Sequence, residues 1–176
     1  MSSSPNMVVD AWRAAGSDKR LLDFLAWWNV NGSFIIRVAW RGGPRTPAEQ
    51  AELWAKGREL RDGKWVVVSP KDVATYAQNP VDAPHVHAGA IDVEPFIEGR
   101  ALDPSEGAQF YAAIAVTAVA RGLVSGANWT GWKDHRHIEV PNFRALPLYQ
   151  GSSSAELLAG AGGALLVVVV LVLVFS

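Results

Sequence analysis

The four histidines of this chain lie in two short clusters, and each cluster also contains an aspartate. The first cluster is HVHAGAIDVEP at 85–95, and the second is WTGWKDHRHIEV at 129–140. Small Ala and Gly residues between His85 and Asp92 allow a tight turn, so two strand-borne side chains can converge. A ligand from the second cluster would complete a three-ligand zinc site open to water, which is the arrangement of catalytic zinc.

Composition limits the chemistry that these clusters can support. The chain has 176 residues, 49% of them hydrophobic, which suits one compact domain with an accessory segment. Cysteine is absent, so a transition-metal site must use His, Asp or Glu and disulfides are excluded. Lys and Arg number 16 against 17 Asp and Glu, and this balance predicts no nucleic-acid partner.

Three segments in order resemble the motifs of one peptidase family. Residues 83–92 are similar to S-x-H-x-x-G-x-A-x-D, and residues 129–139 match W-x-x-F-x-D-x-x-H-x-E with Trp132 in place of Phe. Upstream, RTPAEQAELWAKGR at 45–58 is similar to a helix with R-[ST]-x-x-E-Q. The family is the LAS group of zinc peptidases, which includes VanY-like D-alanyl-D-alanine carboxypeptidases and phage L-alanyl-D-glutamate endopeptidases. The resemblance covers roughly residues 20–140.

The resemblance implies a zinc ion held by His85, Asp92 and His137. Asp134, three residues before His137, would be the general base that takes a proton from the attacking water. His87, five residues before Asp92, is the rival ligand to His85.

The family pattern also implies residues that meet the substrate. Arg45 would contact a substrate carbonyl or carboxylate and steady developing negative charge. Trp129 and Trp132 would wall the site. His87 and His135 are expected to face solvent if they are not ligands, and Glu139 is expected to orient a ligand or to form an ion pair at a strand edge.

Two positions depart from the family pattern. Ala83 stands where serine is expected, and Ala88 stands where the first glycine is expected, with Gly89 one place later. These departures motivate a second hypothesis, in which the domain is a non-catalytic wall-binding or structural protein of a virion.

Hydrophobic periodicity and turn residues predict the elements that must position these side chains. Helices are predicted at 18–29, 47–56 and 106–121, with Thr46 as N-cap and Glu49 completing a capping box for the second. Strands are predicted at 33–40, 65–68 and 137–140, two short extended pieces at 85–93, and a helical turn at 72–78. This pattern predicts the α+β class, with helices packed on a small antiparallel sheet that carries the zinc site.

The expected organisation is an N-terminal extension at 1–17, a zinc peptidase domain at 18–140, a linker at 141–156 and a transmembrane helix at 157–175. The last segment, LLAGAGGALLVVVVLVLVF, has 19 residues without charge or proline. At 1.5 Å per residue it spans about 28 Å, close to the hydrocarbon thickness of a bilayer.

Together these features predict a single-pass membrane protein, anchored at its C-terminal end, that hydrolyses amide bonds in the stem or cross-link peptides of peptidoglycan. Residues 1–9 lack the apolar run of a secretory signal. The expected location is therefore the virion membrane of a lipid-containing phage, and otherwise the bacterial cell membrane, with action during entry or lysis.

Overall fold

A computed structural model describes residues 8–151, which contain three α-helices and eight short strands. The helices are α1 (Lys19–Asn31), α2 (Pro47–Ala55) and α3 (Ala108–Ala120). The strands are β1 (Val8–Val9), β2 (Ile36–Val38), β3 (Arg58–Arg61), β4 (Lys64–Val67), β5 (Ala90–Ile97), β6 (Arg100–Ala101), β7 (Val124–Ser125) and β8 (His137–Glu139). The α+β class predicted from the sequence is confirmed.

The main sheet has the strand order β1-β2-β5-β8-β7, and β6 pairs with the far end of β5. The neighbouring pairs β2–β5, β5–β8 and β8–β7 are antiparallel, but β1 runs parallel to β2. The sheet is therefore mixed, and the expectation of a wholly antiparallel sheet is wrong at this edge. β1 has only two residues, too few to produce a periodic pattern in the sequence.

One hydrophobic core joins the sheet to α1 and α3. Strand alternation sends Ile91 and Val93 of β5 into this core, together with Ile138 of β8. Trp28 of α1 is buried among them and donates its indole N–H to the carbonyl of Phe34 at 2.9 Å. The core consequently fixes which face of β5 and β8 remains for polar side chains.

Capping residues near the ends of α1 and α2 agree with the predicted starts of these helices. The capping box of α2 is formed as predicted, with Thr46 accepting from the backbone N–H of Glu49 and the Glu49 carboxylate accepting from that of Thr46. Asp18 caps α1 through the N–H of Arg20. These interactions lie within four residues of each other, so sequence patterns can reveal them.

Three segments differ from the predictions. β3 pairs with β4 in a separate hairpin, although only the second of these strands was expected. The segment predicted as a helical turn at 72–78 contains only the end of a 3-10 helix at Pro70–Asp72, followed by irregular chain. The first of the two extended pieces at 85–93 is a 3-10 helix, Pro84–His87, before β5 begins.

Both flanking segments pack on the domain as far as the structure describes them. Val8 and Ala14, from the predicted extension, are buried in the core. Phe143 and Leu146, from the predicted linker, pack against it, and the backbone N–H of Tyr149 donates to the Val86 carbonyl at 2.7 Å. The folded unit therefore extends beyond 18–140 in both directions.

Within residues 8–151, no helix combines the length and the apolar composition needed to cross a bilayer. The transmembrane helix predicted at 157–175 lies outside the described residues.

Candidate metal centre

The pairing of β5 with β8 brings the two motif regions together. Asp92 and His137 are direct partners in this antiparallel register, and Ile91 and Ile138 are partners one residue along. Because successive side chains alternate between faces, the isoleucines enter the core while Asp92 and His137 share the opposite face. The His137 Nδ1 atom lies 3.2 Å from Asp92 Oδ1.

His85 reaches the same place from the 3-10 helix that precedes β5. Its Nε2 atom lies 3.3 Å from Asp92 Oδ1, and its ring centroid lies 5.2 Å from that of His137. One ligand atom from each of His85, Asp92 and His137 lies within 4.8 Å of the others, so the three residues could hold one metal ion. Two imidazole nitrogens and a carboxylate oxygen form a donor set that suits zinc with a position left open.

Contacts on the far side of each imidazole determine which nitrogen faces the centre. His85 Nδ1 lies 2.9 Å from the Gly43 carbonyl oxygen, to which it can only donate, so Nε2 carries the lone pair. His137 Nε2 lies 3.0 Å from Glu139 Oε2, which leaves Nδ1 to face Asp92. A second contact of this kind orients metal-binding histidines and selects their tautomer.

Asp92 is a buried carboxylate surrounded by cationic or hydrogen-bonding groups. Burial alone would raise its pKa, but His85 and His137 beside it hold the pKa of Asp92 well below its usual range. Arg45 donates from NH2 to Asp92 Oδ2 at 3.1 Å and secures the oxygen that does not face the histidines. Asp92 is therefore ionised and held in a fixed position.

The two imidazoles differ in charge when no metal is bound. Burial lowers the pKa of His85, so this ring is neutral and its Nε2 lone pair is available. Burial also opposes charge on His137, but its hydrogen bonds with Asp92 and Glu139 prevail and raise its pKa to about 9. A metal ion would have to displace the proton on His137 Nδ1.

A cleft of about 430 Å³ opens over these three residues. Asp134 lies on its wall, half-buried, at the end of the loop that leads into β8. The Oδ1 atom of Asp134 accepts from the Arg136 backbone N–H at 3.1 Å, and Oδ2 accepts no hydrogen bond from the residues that the structure describes. The carboxylate is thus held at one oxygen and can face the cleft with the other.

Gly126 allows this loop to approach His137 closely. A Cβ atom at Gly126 would lie 2.5 Å from the Asp134 carbonyl oxygen and 3.1 Å from His137 Cβ, which is closer than packing permits. The Asp134 N–H donates to the Gly126 carbonyl at 3.1 Å and closes the turn. Backbone packing thus holds Asp134 and His137 at a fixed spacing.

Aromatic residues form one side of the cleft. The Trp129 ring lies 5.1 Å from the His137 ring between centroids and 6.1 Å from Trp132. Tyr76, from the irregular segment after β4, stacks edge-on against Trp132 at 5.4 Å. The structure thus places both predicted tryptophans along the cleft and adds Tyr76, which no local sequence pattern indicates.

Arg45 lines the cleft but is engaged by the protein itself. Besides its contact with Asp92, it donates to the Arg41 carbonyl at 2.8 Å and to Gln50 Oε1 at 3.2 Å. In this arrangement Arg45 holds Asp92 in position, and its contact with substrate stays a prediction. Burial lowers its pKa, with Asp92 opposing that effect.

The remaining histidines stand apart from the three-residue group. His87 is buried, contrary to the expectation that it faces solvent, with Nδ1 2.7 Å from the Leu146 carbonyl and Nε2 2.8 Å from the Val81 carbonyl. Those contacts occupy both ring nitrogens. His135 packs near Tyr111, 6.1 Å between ring centroids.

Comparison with known proteins finds distant structural similarity. No protein-family model matches the chain, and no curated protein is similar to it in sequence. The crystal structure of Serratia marcescens L-Ala D-Glu endopeptidase ChiX aligns at 18% identity with a TM-score of 0.48. The alignment covers 78% of this chain and 92% of that one.

Proposed function

We propose that the protein is a zinc-dependent peptidase that hydrolyses amide bonds in the peptides of peptidoglycan. The observation that supports this most strongly is the meeting of His85, Asp92 and His137 within 4.8 Å at the floor of a cleft. His137 lies 45 residues after Asp92 in the chain, and His85 precedes both of them. Only the fold can unite them, and it leaves one nitrogen of each imidazole facing inward.

The donor set and its surroundings fit zinc. When bound, the metal supplies a Lewis acid that lowers the pKa of water to about 7 and polarises a carbonyl. His85 and His137 would present Nε2 and Nδ1 respectively, and Asp92 would present Oδ1. Gly43, Glu139 and Arg45 would keep these three ligands oriented through their second contacts.

Asp134 is the residue that we propose moves protons. It lines the same cleft as the three ligands and would accept a proton from the attacking water, then pass it to the leaving amine. Backbone hydrogen bonds at Oδ1 and at its N–H hold it in place. Trp129 and Trp132 would exclude water from one side of a bound peptide.

The proposed substrate is the stem or cross-link peptide, and the proposed site of action is a membrane surface. The apolar segment 157–175 would hold the enzyme in the membrane of a lipid-containing phage particle or of the bacterial cell. From either place the domain would meet peptidoglycan during entry or lysis.

Incubation of the purified full chain with peptidoglycan sacculi tests the proposal. The enzyme should release peptide fragments with new amino termini, lose activity with a chelator and regain it with zinc. Fragment masses identify the bond that is cut. Asp134→Asn should abolish turnover, whereas Asp82→Asn, a more exposed carboxylate at the same cleft, serves as the matched control.

Wall degradation that survives chelation would contradict zinc-dependent hydrolysis. A chain that binds zinc but leaves sacculi intact, with Asp134→Asn behaving like the parent, would instead favour a non-catalytic wall-binding protein.

A further inference from the structure

Two tryptophans lie fully outside the core, on either side of one arginine. Trp12 is 68% exposed and Trp40 is 72% exposed, although large aromatic side chains are usually buried. The Cζ atom of Arg13 lies 5.2 Å from the Trp12 ring centroid and 5.0 Å from that of Trp40. Both tryptophans and Arg13 line a groove of about 190 Å³, together with Arg41, Gly43 and Pro44, and it is here called the Trp12–Trp40 groove.

The groove is built on a rigid base. Arg13 donates from NH1 to Asp10 Oδ2 at 3.0 Å and to the Val38 carbonyl at 3.1 Å. Arg37 donates to the same Asp10 oxygen at 2.9 Å. These contacts hold the guanidinium and so restrict the two indoles that pack on it. Side chains that are already ordered lose less conformational entropy when a ligand binds.

The groove adjoins the metal centre through one residue. Gly43 lines the groove, and its carbonyl accepts the hydrogen bond from His85 Nδ1. A Cβ atom at Gly43 would lie 1.8 Å from the Arg13 carbonyl oxygen, so the two segments are in direct backbone contact. The segment from Trp40 to Arg45 thus carries an indole of the groove at one end and the brace of Asp92 at the other.

We propose that the Trp12–Trp40 groove binds the glycan chain of peptidoglycan, as a subsite that holds sugar beside the peptide being cut. This proposal rests on the proposed function, because the peptide substrate is covalently attached to that glycan. The flat apolar faces of pyranose rings stack on indoles, and the acetamido and hydroxyl oxygens accept hydrogen bonds from guanidinium groups such as that of Arg41.

The shape of the patch favours a sugar over a lipid surface. Side chains that insert into a bilayer project from a convex surface, whereas these indoles border a groove that Gly43 and Pro44 also line.

Titration of the metal-free full chain with chitotetraose, a soluble tetramer of N-acetylglucosamine, tests the groove by calorimetry. The Trp12→Ala/Trp40→Ala double variant should bind at least about tenfold more weakly, as expected when central Trp anchors are removed. Trp12→Phe/Trp40→Phe should retain part of the affinity. Trp65→Ala, which removes a 43% exposed indole on the β3–β4 hairpin, is the matched control and should bind like the parent.

On active enzyme, the double variant should lower kcat/KM for intact sacculi more than for a free stem peptide. Absence of binding by the parent, or equal binding by the double variant with an unchanged melting temperature, would overturn the proposal. Binding of phospholipid vesicles but not of sugar through the same tryptophans would replace it with a lipid contact. Because sugar binding is measured without metal, its failure is distinguishable from failure of the peptidase proposal.

Discussion

At the scale of residues, the candidate centre depends on the second contact that each ligand makes. The Gly43 carbonyl and the Glu139 carboxylate receive the outer N–H groups of His85 and His137, and Arg45 holds the outer oxygen of Asp92. Each contact leaves a single atom of its ligand facing inward. The three inner atoms therefore form a preorganised donor set.

Substitution of Glu139 tests this second contact. Glu139→Gln removes the charge that accepts from His137 Nε2 and should weaken zinc binding by roughly tenfold, the lower end of effects seen for such partners. Competition with a chromophoric chelator measures the affinity. Glu52→Gln, on the exposed face of α2, should leave it unchanged. Equal affinities for both variants would show that Glu139 does not orient the ligand.

The raised pKa of His137, about 9, predicts how zinc binding depends on pH. Protonated His137 stabilises the metal-free fold fully below the unfolded pKa of about 6.5, and this contribution is lost as pH rises through about 9. Zinc requires Nδ1 without its proton. Between about pH 7 and pH 8, affinity should therefore rise about tenfold per pH unit, with one proton released per ion.

Calorimetry of zinc binding in buffers with different ionisation enthalpies counts these protons. A binding enthalpy that is the same in every buffer at pH 7.5 would contradict a charged His137 in the metal-free protein.

At the scale of elements, two features position the three candidate ligands. They are the β5–β8 register and the turn between His85 and β5. Ala88 in that turn has φ 51° and ψ 19°, the left-handed conformation that glycine adopts without strain. Its N–H donates to the His85 carbonyl at 3.1 Å, which closes the turn. Ala88, which stands where the motif has glycine, thus adopts a conformation that favours glycine.

Ala88→Gly should therefore stabilise the protein. Relief of the left-handed penalty is worth about 1 kcal/mol, which corresponds to a rise in melting temperature of roughly 2 to 4 °C. The same substitution at Ala112, exposed within α3, should destabilise by about 1 kcal/mol because glycine costs helix stability. Thermal unfolding monitored by circular dichroism compares them. A lower melting temperature for Ala88→Gly would refute the strain at this turn.

Features that depend on neighbours in the chain could be predicted from the sequence, whereas those that depend on distant residues could not. The α2 capping box and the stop at Gly57 depend on neighbours in the chain, and both were predictable. The pairing of Asp92 with His137 depends on a strand register across 45 residues, which only the motif resemblance suggested. The β3 strand is not predicted because polar and apolar residues do not alternate regularly in Arg58–Arg61. Its extended conformation is stabilised by pairing with β4.

Tertiary contacts also explain what could not be foreseen at the cleft. Tyr76 is positioned because its neighbour Thr75 is held by Gln50 from α2 and by Arg58 from β3. His87 is buried because the segment after β8 folds back and places the Leu146 carbonyl against it. Neither arrangement follows from residues near Tyr76 or His87 in the chain.

At the scale of the whole molecule, the chain joins a cleft-bearing domain to an apolar C-terminal segment. The 19 residues at 157–175 carry no charge. We expect the full chain to float with lipid vesicles in a density gradient and to resist extraction by alkaline carbonate, because backbone groups in lipid must pair within a helix. A chain lacking residues 157–176 should remain with the soluble fraction.

Flotation of the shortened chain to the same extent as the parent would assign membrane binding to the domain. Equal solubility of both chains would show that residues 157–175 do not anchor the protein in a membrane.

An anomalous difference map collected at the zinc absorption edge would show whether His85, Asp92 and His137 hold one zinc ion. We expect a single peak with nitrogen ligands from both histidines at about 2.0–2.1 Å and an Asp92 oxygen at about 2.0–2.2 Å. No peak within reach of these side chains in crystals grown with excess zinc, or an ion bound elsewhere, would contradict the account.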